Sequence, residues 1–210
     1  MPQAGLPLLA AVWFSAVAPV VLIDGIFVLT RSLHAKVPHP LSEVFPFKYW
    51  LIYARYDRRY GPNDDAFVIA QSWLNLVEVV LGLLAVLLSL RRASNAAVKL
   101  GILVATMTMY KTVLYFMLDV AEEGRYTKHN TLIDQLTMVV IPSSFWIIVP
   151  AVIIKQCFGV LALTSVPEPK GKPTQQSGGK QKSASPPRAA SQPTDTQQNS
   201  SNKAKPNKKK

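Results

Sequence analysis

Residues 62–92 read PNDDAFVIAQSWLNLVEVVLGLLAVLLSLRR, and this stretch decides what kind of protein the chain makes. At 1.5 Å rise per residue, a helix from Ala66 to Leu90 extends over about 37 Å, more than the ~30 Å thickness of bilayer hydrocarbon. Glu78 is the one charged residue in it. Asp64 and Asp65 stand where a helix N-terminus takes its cap and a favourable charge, and Arg91 with Arg92 stops the run. The spacing predicts a transmembrane helix.

Three further apolar stretches flank this one. The first runs from Leu8 to Leu29, interrupted mainly by Pro19 and Asp24 and closed by Arg31. It lacks the basic lead and short apolar core of a signal peptide, so it is expected to stay in the mature chain. A short link, RRASNAAVK, leads to a third span from Leu100 to Val120; a second link, EEGRYTKHN, leads to a fourth from Leu132 to Leu163, which Pro142 and Pro150 are expected to bend. Between the first two spans lies PHPLSEVFPFKYWLIYARYDRRYGPNDD, rich in Pro, Tyr and Trp, a composition suited to the headgroup level. The fold expected is all-α: a polytopic bundle of four transmembrane helices within residues 1–165, followed by a disordered Lys-rich tail over residues 166–210.

Charge divides the chain at the same point. Of the formal net charge of +11, the tail carries +8, with ten Lys or Arg against two Asp or Glu and no aromatic residue. On a membrane protein such a tail is expected to meet anionic lipid or cytosol and not nucleic acid. The pattern Asn199, Ser200, Ser201 is a glycosylation triplet by chance, since the charge around it argues for the cytosol. With four spans, Arg91, Arg92, Lys99, Lys155 and the tail share a side, which predicts cytosolic termini; Arg31, Lys36, Lys48, Arg55, Arg58 and Arg59 oppose that signal.

A soluble globular enzyme is excluded by this composition. Cys157 is the one cysteine, so no intrachain disulfide framework exists, and His34, His39 and His129 are too scattered to predict a metal site. A glycine-rich phosphate loop is absent from the sequence.

Ionisable groups inside hydrocarbon cost kilocalories each, so they face the bundle interior, pair with one another or line a site. The deepest are Asp24, Glu78 and Lys111. Gln71, Asn75 and Glu78 at i, i+4 and i+7 project from one helix face. Lys111 has Tyr110 beside it, Tyr115 one turn later and Asp119 a further turn on, while Ser143, Ser144 and Trp146 sit by the expected bend. One account is structural: Glu78 or Asp24 neutralises Lys111 and the aromatics pack. The other is a pocket for a rigid apolar ligand, where an acid and an aromatic wall handle a proton and a developing cation.

Four motifs go further: IDGIFVL at 23–29, YARYDRRYG at 53–61, YKTVLYF at 110–116 and FWIIVP at 145–150. Together, in this order, they resemble the emopamil-binding-protein or EXPERA family, which includes a sterol isomerase, the sigma-2 receptor and transmembrane-6 superfamily proteins. The resemblance covers about Leu8 to Leu163. It implies an endoplasmic-reticulum protein, without a cofactor, that protonates a sterol or terpenoid-like alkene, stabilises the carbocation on aromatic faces and removes a neighbouring proton; it leaves room for a homodimer. Carried over, the first acid falls on Asp24 and the tryptophan on Trp146. The family's histidine falls on Val20, its asparagine on Ser143, and its second acid on Gln71 or Ser72, about two turns from Glu78.

Three functions compete on this reading. One is an isomerase with Asp24 and Glu78 as catalytic groups and Gln71, Asn75, Tyr110, Lys111, Tyr115, Ser143 and Trp146 on the substrate. The second is a relative that binds a sterol or lipid for trafficking or quality control without chemistry. The third is a membrane adaptor working through its basic tail.

Overall fold

The computed structural model describes residues 5–164, and the expected disordered tail lies outside the described residues. The described residues form helices joined by turns and loops, with four helices long and apolar enough to cross a membrane. The elements are α1 (Leu8–Thr30), α2 (Phe47–Tyr56), α3 (Ala66–Leu90), α4 (Ser94–Ala121), a short α5 (Leu132–Asp134), a π-helical turn (Gln135–Val140) and α6 (Ile141–Thr164).

α3 has the expected bounds, and its cap is Asp65, whose carboxylate accepts the Val68 N–H at 2.9 Å. α4 begins six residues before the apolar stretch that announced it. Ser94, Ala97 and Val98 are buried, so tertiary packing holds a polar-looking first turn in helical form. The fourth span is continuous from α5 through α6, and its irregularity is the π-helical turn immediately before Pro142. Proline has no N–H and its ring collides with the carbonyl four residues earlier; a widened turn accommodates both. Pro150 is buried within α-helix.

The segment between the first two spans contains a helix that composition did not announce. α2 lies against α1 and the π-helical turn. α4 packs on α3 and α6, and α3 on α1, whereas α1 and α6 barely meet. α2 and the π-helical turn therefore fill the side of the bundle between α1 and α6.

Where α1 starts and α3 ends, the helices close on small residues. Ala10, Ala85, Ala97, Ala105 and Cys157 are fully buried around Phe14 and Ile153. A Cβ on Gly82 would stand 3.3 Å from Phe14 Cγ. Without a hydrophobic drive inside lipid, such close backbone approach is what holds helices together. Large apolar side chains such as Leu83, Leu84 and Leu87 point outward, as lipid-facing residues do.

Candidate functional site

The opposite half of the bundle encloses a cavity of about 360 Å³. α1 supplies Val20, Val21 and Asp24; α2 supplies Tyr49, Trp50 and Tyr53; Tyr60 follows from the next turn. Gln71 and Asn75 come from α3, Thr112 and Tyr115 from α4, and Pro142, Ser143 and Trp146 from α6. Its size falls in the range of small-molecule sites, and its walls are mainly aromatic and aliphatic.

Asp24 stands on that wall with Oδ1 accepting the Trp50 indole N–H at 2.9 Å. Its other oxygen has no hydrogen bond among the described residues. The indole can donate but not accept, so it fixes the carboxyl group while leaving a free oxygen for chemistry.

The polar stripe on α3 divides between two environments. Gln71 and Asn75 line the cavity, but Glu78 lies beyond it, against a smaller void of about 30 Å³. Glu78 Oε1 accepts from Lys111 Nζ at 2.8 Å and Oε2 accepts from the Thr108 hydroxyl at 2.9 Å. With its charge matched and its side chain outside the main cavity, Glu78 neutralises a lysine and does not meet a ligand held there. This corrects its assignment as a catalytic group. Lys111 likewise reaches the cavity only through Asn75, whose Oδ1 accepts from its ammonium. Since an ammonium only donates, the Asn75 amide is oriented by it.

Tyr110 is the second correction. It is 69% exposed on the lipid-facing side of α4, because inward placement of Lys111 turns its sequence neighbour outward by about 100°. Tyr115, by contrast, is buried and lines the cavity. Ser143 and Trp146 do so too, with Trp146 also edge-on to Trp13 at 5.4 Å between ring centroids. Ser144 instead donates back to the Val140 carbonyl at 2.7 Å, within its own helix.

Beyond Tyr115, a buried ionic cluster seals the end of the bundle. Arg59 is 1% exposed, pairs with Asp65 at 2.7 Å and Glu122, and lies over the Tyr126 ring at 4.5 Å. Arg31 donates to the carbonyls of Arg59 and Asp65. Asp57 is fully buried here: Oδ1 accepts the Arg59 backbone N–H at 3.0 Å and Oδ2 accepts the Tyr115 hydroxyl at 2.7 Å. Burial pushes the Asp57 carboxyl up to about 6, a rise that its hydrogen bonds from Tyr115 and Arg59 limit. The phenols of Tyr53 and Tyr60 are also pushed well up, first by burial and then by both Asp57 and Asp24. The two carboxylates thus act on the same pair of cavity-lining phenols.

Sequence reasoning missed Trp50, Tyr53, Tyr60, Thr112 and Asp57. Tyr53, Asp57 and Tyr60 fall in YARYDRRYG, a stretch that its composition and its resemblance marked but whose members carried no assigned role. The alternation of aromatic and charged residues in α2 was the available signal. His39, whose Nε2 hydrogen-bonds with the Phe27 carbonyl at 2.8 Å, stacks on Phe27 and is structural. Among the described residues no group of His, Cys, Asp or Glu could hold a metal ion.

No family model, curated protein or solved structure matches this chain.

Proposed function

We propose that the protein is a membrane-embedded isomerase that shifts a ring double bond in a sterol- or terpenoid-like alkene, as its resemblance to the emopamil-binding-protein family implies. The observation carrying this reading is Asp24, a carboxyl with one oxygen held by Trp50 and the other open to an aromatic-walled cavity inside the bilayer span. A flat polycyclic alkene matches such walls. Asp24 in its acid form gives its proton to one alkene carbon, the π electrons form the new C–H bond, and the adjacent carbon becomes cationic. Trp50, Tyr53 and Trp146 line the cavity, and aromatic rings there stabilise such a charge through their π electrons. Loss of a proton from the next carbon completes the shift, with no oxidant or reductant consumed.

Lys111 does not oppose this chemistry as a bare charge would, because Glu78 neutralises it. The endoplasmic-reticulum membrane, with cytosolic termini, is the location this reading carries.

A second reading rests on Gln71. A neutral side chain, the Gln71 amide or the Ser72 hydroxyl, stands where the resemblance calls for a second acid, and neither takes a proton at neutral pH. That favours a cavity that binds a sterol-like lipid without converting it.

Complementation separates the two. Cells lacking sterol isomerase, supplied with this chain and profiled for sterols by mass spectrometry, are expected to recover the shifted product. Asp24→Asn should abolish it while leaving the protein in the membrane, a loss on the order of 10²- to 10⁴-fold. Normal membrane expression with no product from the unaltered chain supports binding without chemistry.

A further inference from the structure

An isomerase needs a group to take the second proton, and this inference rests on the isomerase reading above. The positions to which the resemblance carries the second acid, Gln71 and Ser72, hold an amide and a hydroxyl, and Glu78 is ion-paired to Lys111 outside the main cavity. We infer that the proton acceptor is Tyr115, working with Asp57 behind it as a phenol–carboxylate relay.

The geometry is specific. Tyr115 lines the same cavity as Asp24, and its hydroxyl donates to Asp57 Oδ2 at 2.7 Å, so the phenol oxygen keeps its acceptor capacity. Asp57 is 0% exposed, and its other oxygen is fixed by the Arg59 N–H, so the acceptor is held in one orientation. The step balances. The C–H bond beside the cationic carbon breaks, and its electron pair forms the new double bond. The proton goes to Tyr115 Oη, and the phenol's own proton passes to Asp57 Oδ2. Carbocation and carboxylate become alkene and carboxylic acid. Asp24, left ionised by the first step, recovers a proton when Asp57 gives one up through water or the phenols of Tyr53 and Tyr60, which feel both carboxylates.

Asp57 is suited to this in its charge state. Held at about 6, its carboxyl is mainly ionised at neutral pH yet close enough to neutrality to accept and release a proton readily. Burial sets this value first, and the groups that adjust it are Tyr115 and Asp119 on α4 and Arg59 on its own turn. Asp57 in turn acts on Arg31, at the end of α1, and on Asp24.

The test uses the full chain in lipid nanodiscs with cholest-8-en-3β-ol, either unlabelled or deuterated at the C7 position that loses the proton. Tyr115→Phe and Asp57→Asn are each expected to lower turnover about 10²-fold or more and to raise the primary deuterium isotope effect, because deprotonation becomes the slow step. Asp24→Asn should lower turnover without raising that isotope effect. The pH profile of the unaltered protein should carry an acid limb below about 6, where Asp57 is protonated, and the residual activity of Asp57→Asn should lack that limb. Folding of each variant is checked by retained binding of a polycyclic tertiary amine, a stable mimic of the cation. An unchanged isotope effect in both variants with the amine still bound overturns the relay while leaving the isomerase standing. Loss of amine binding in Asp57→Asn but not in Tyr115→Phe makes the phenol variant decisive, and its wild-type isotope effect overturns the relay. Absence of turnover in the unaltered protein overturns the isomerase reading and the relay with it.

Discussion

The two halves of the bundle are built from helices of similar apolarity and end up unlike each other. In one, Ala10, Ala85, Ala97 and Ala105 let the helices close around Phe14 and Ile153. In the other, Trp50, Tyr53, Tyr60, Tyr115 and Trp146 stand around a cavity of about 360 Å³, and a buried ionic cluster seals its end. Side-chain size and polarity, not hydrophobicity, decide which half closes. Small residues permit backbone contact, while bulky rings, with Trp50 and Tyr115 anchored by hydrogen bonds to Asp24 and Asp57, keep helices apart.

If the open half is propped by its ionic seal, removing the seal should collapse it. Arg59→Met leaves Asp65 and Glu122 without their cation and Asp57 without a neighbouring charge, so a destabilisation of about 3–5 kcal/mol is expected. Thermal unfolding in detergent measures it. Arg59→Lys should recover part of the loss, since an ammonium restores charge but not two-pronged pairing. An Arg59→Met protein as stable as the original would mean that aromatic packing alone holds the cavity open.

The closed half is probed by overpacking. Gly82→Val places new atoms against Phe14, whose Cγ would be 3.3 Å from the first added carbon, and should cost about 1–3 kcal/mol. Binding of the polycyclic amine probe should be unchanged, because the cavity draws its walls mainly from the other half. Equal damage to binding and stability would show that the halves are one cooperative unit.

The Lys111–Glu78 pair stands between the halves and gives the smallest expected signal. Lys111→Met and Glu78→Gln should each destabilise, and the double variant should recover part of the sum, with a coupling of about 0.5–3 kcal/mol. Additive losses would separate the two residues energetically and return Glu78 to the list of groups available for chemistry.

How much of this was legible in the chain differs by region. The four spans were visible because a run of apolar residues long enough for hydrocarbon has one solution, a helix that satisfies its own backbone. Asp24, Gln71, Asn75, Tyr115, Ser143 and Trp146 were singled out as intramembrane polar or aromatic residues and do line the cavity. Tyr110 failed because a bare sequence neighbour of an inward residue faces elsewhere on a helix. Glu78 failed because ionisable groups inside a span serve either chemistry or charge balance, and only its distances to Lys111 and Thr108 tell which.

By itself, then, the sequence determined a four-span helical protein, the depth of its polar groups and the face of α3 they share, all consequences of local periodicity and bilayer thickness. The tertiary structure alone decided that α2 fills the side between α1 and α6, that Lys111 chooses Glu78 over Asp24, and that Asp57 reaches the cavity through Tyr115. Residues 57 and 115 lie 58 positions apart, and no spacing rule connects them. They meet because the turn that follows α2 comes against α4 at Tyr115, where burial makes an unpaired phenol or carboxylate too costly to leave alone.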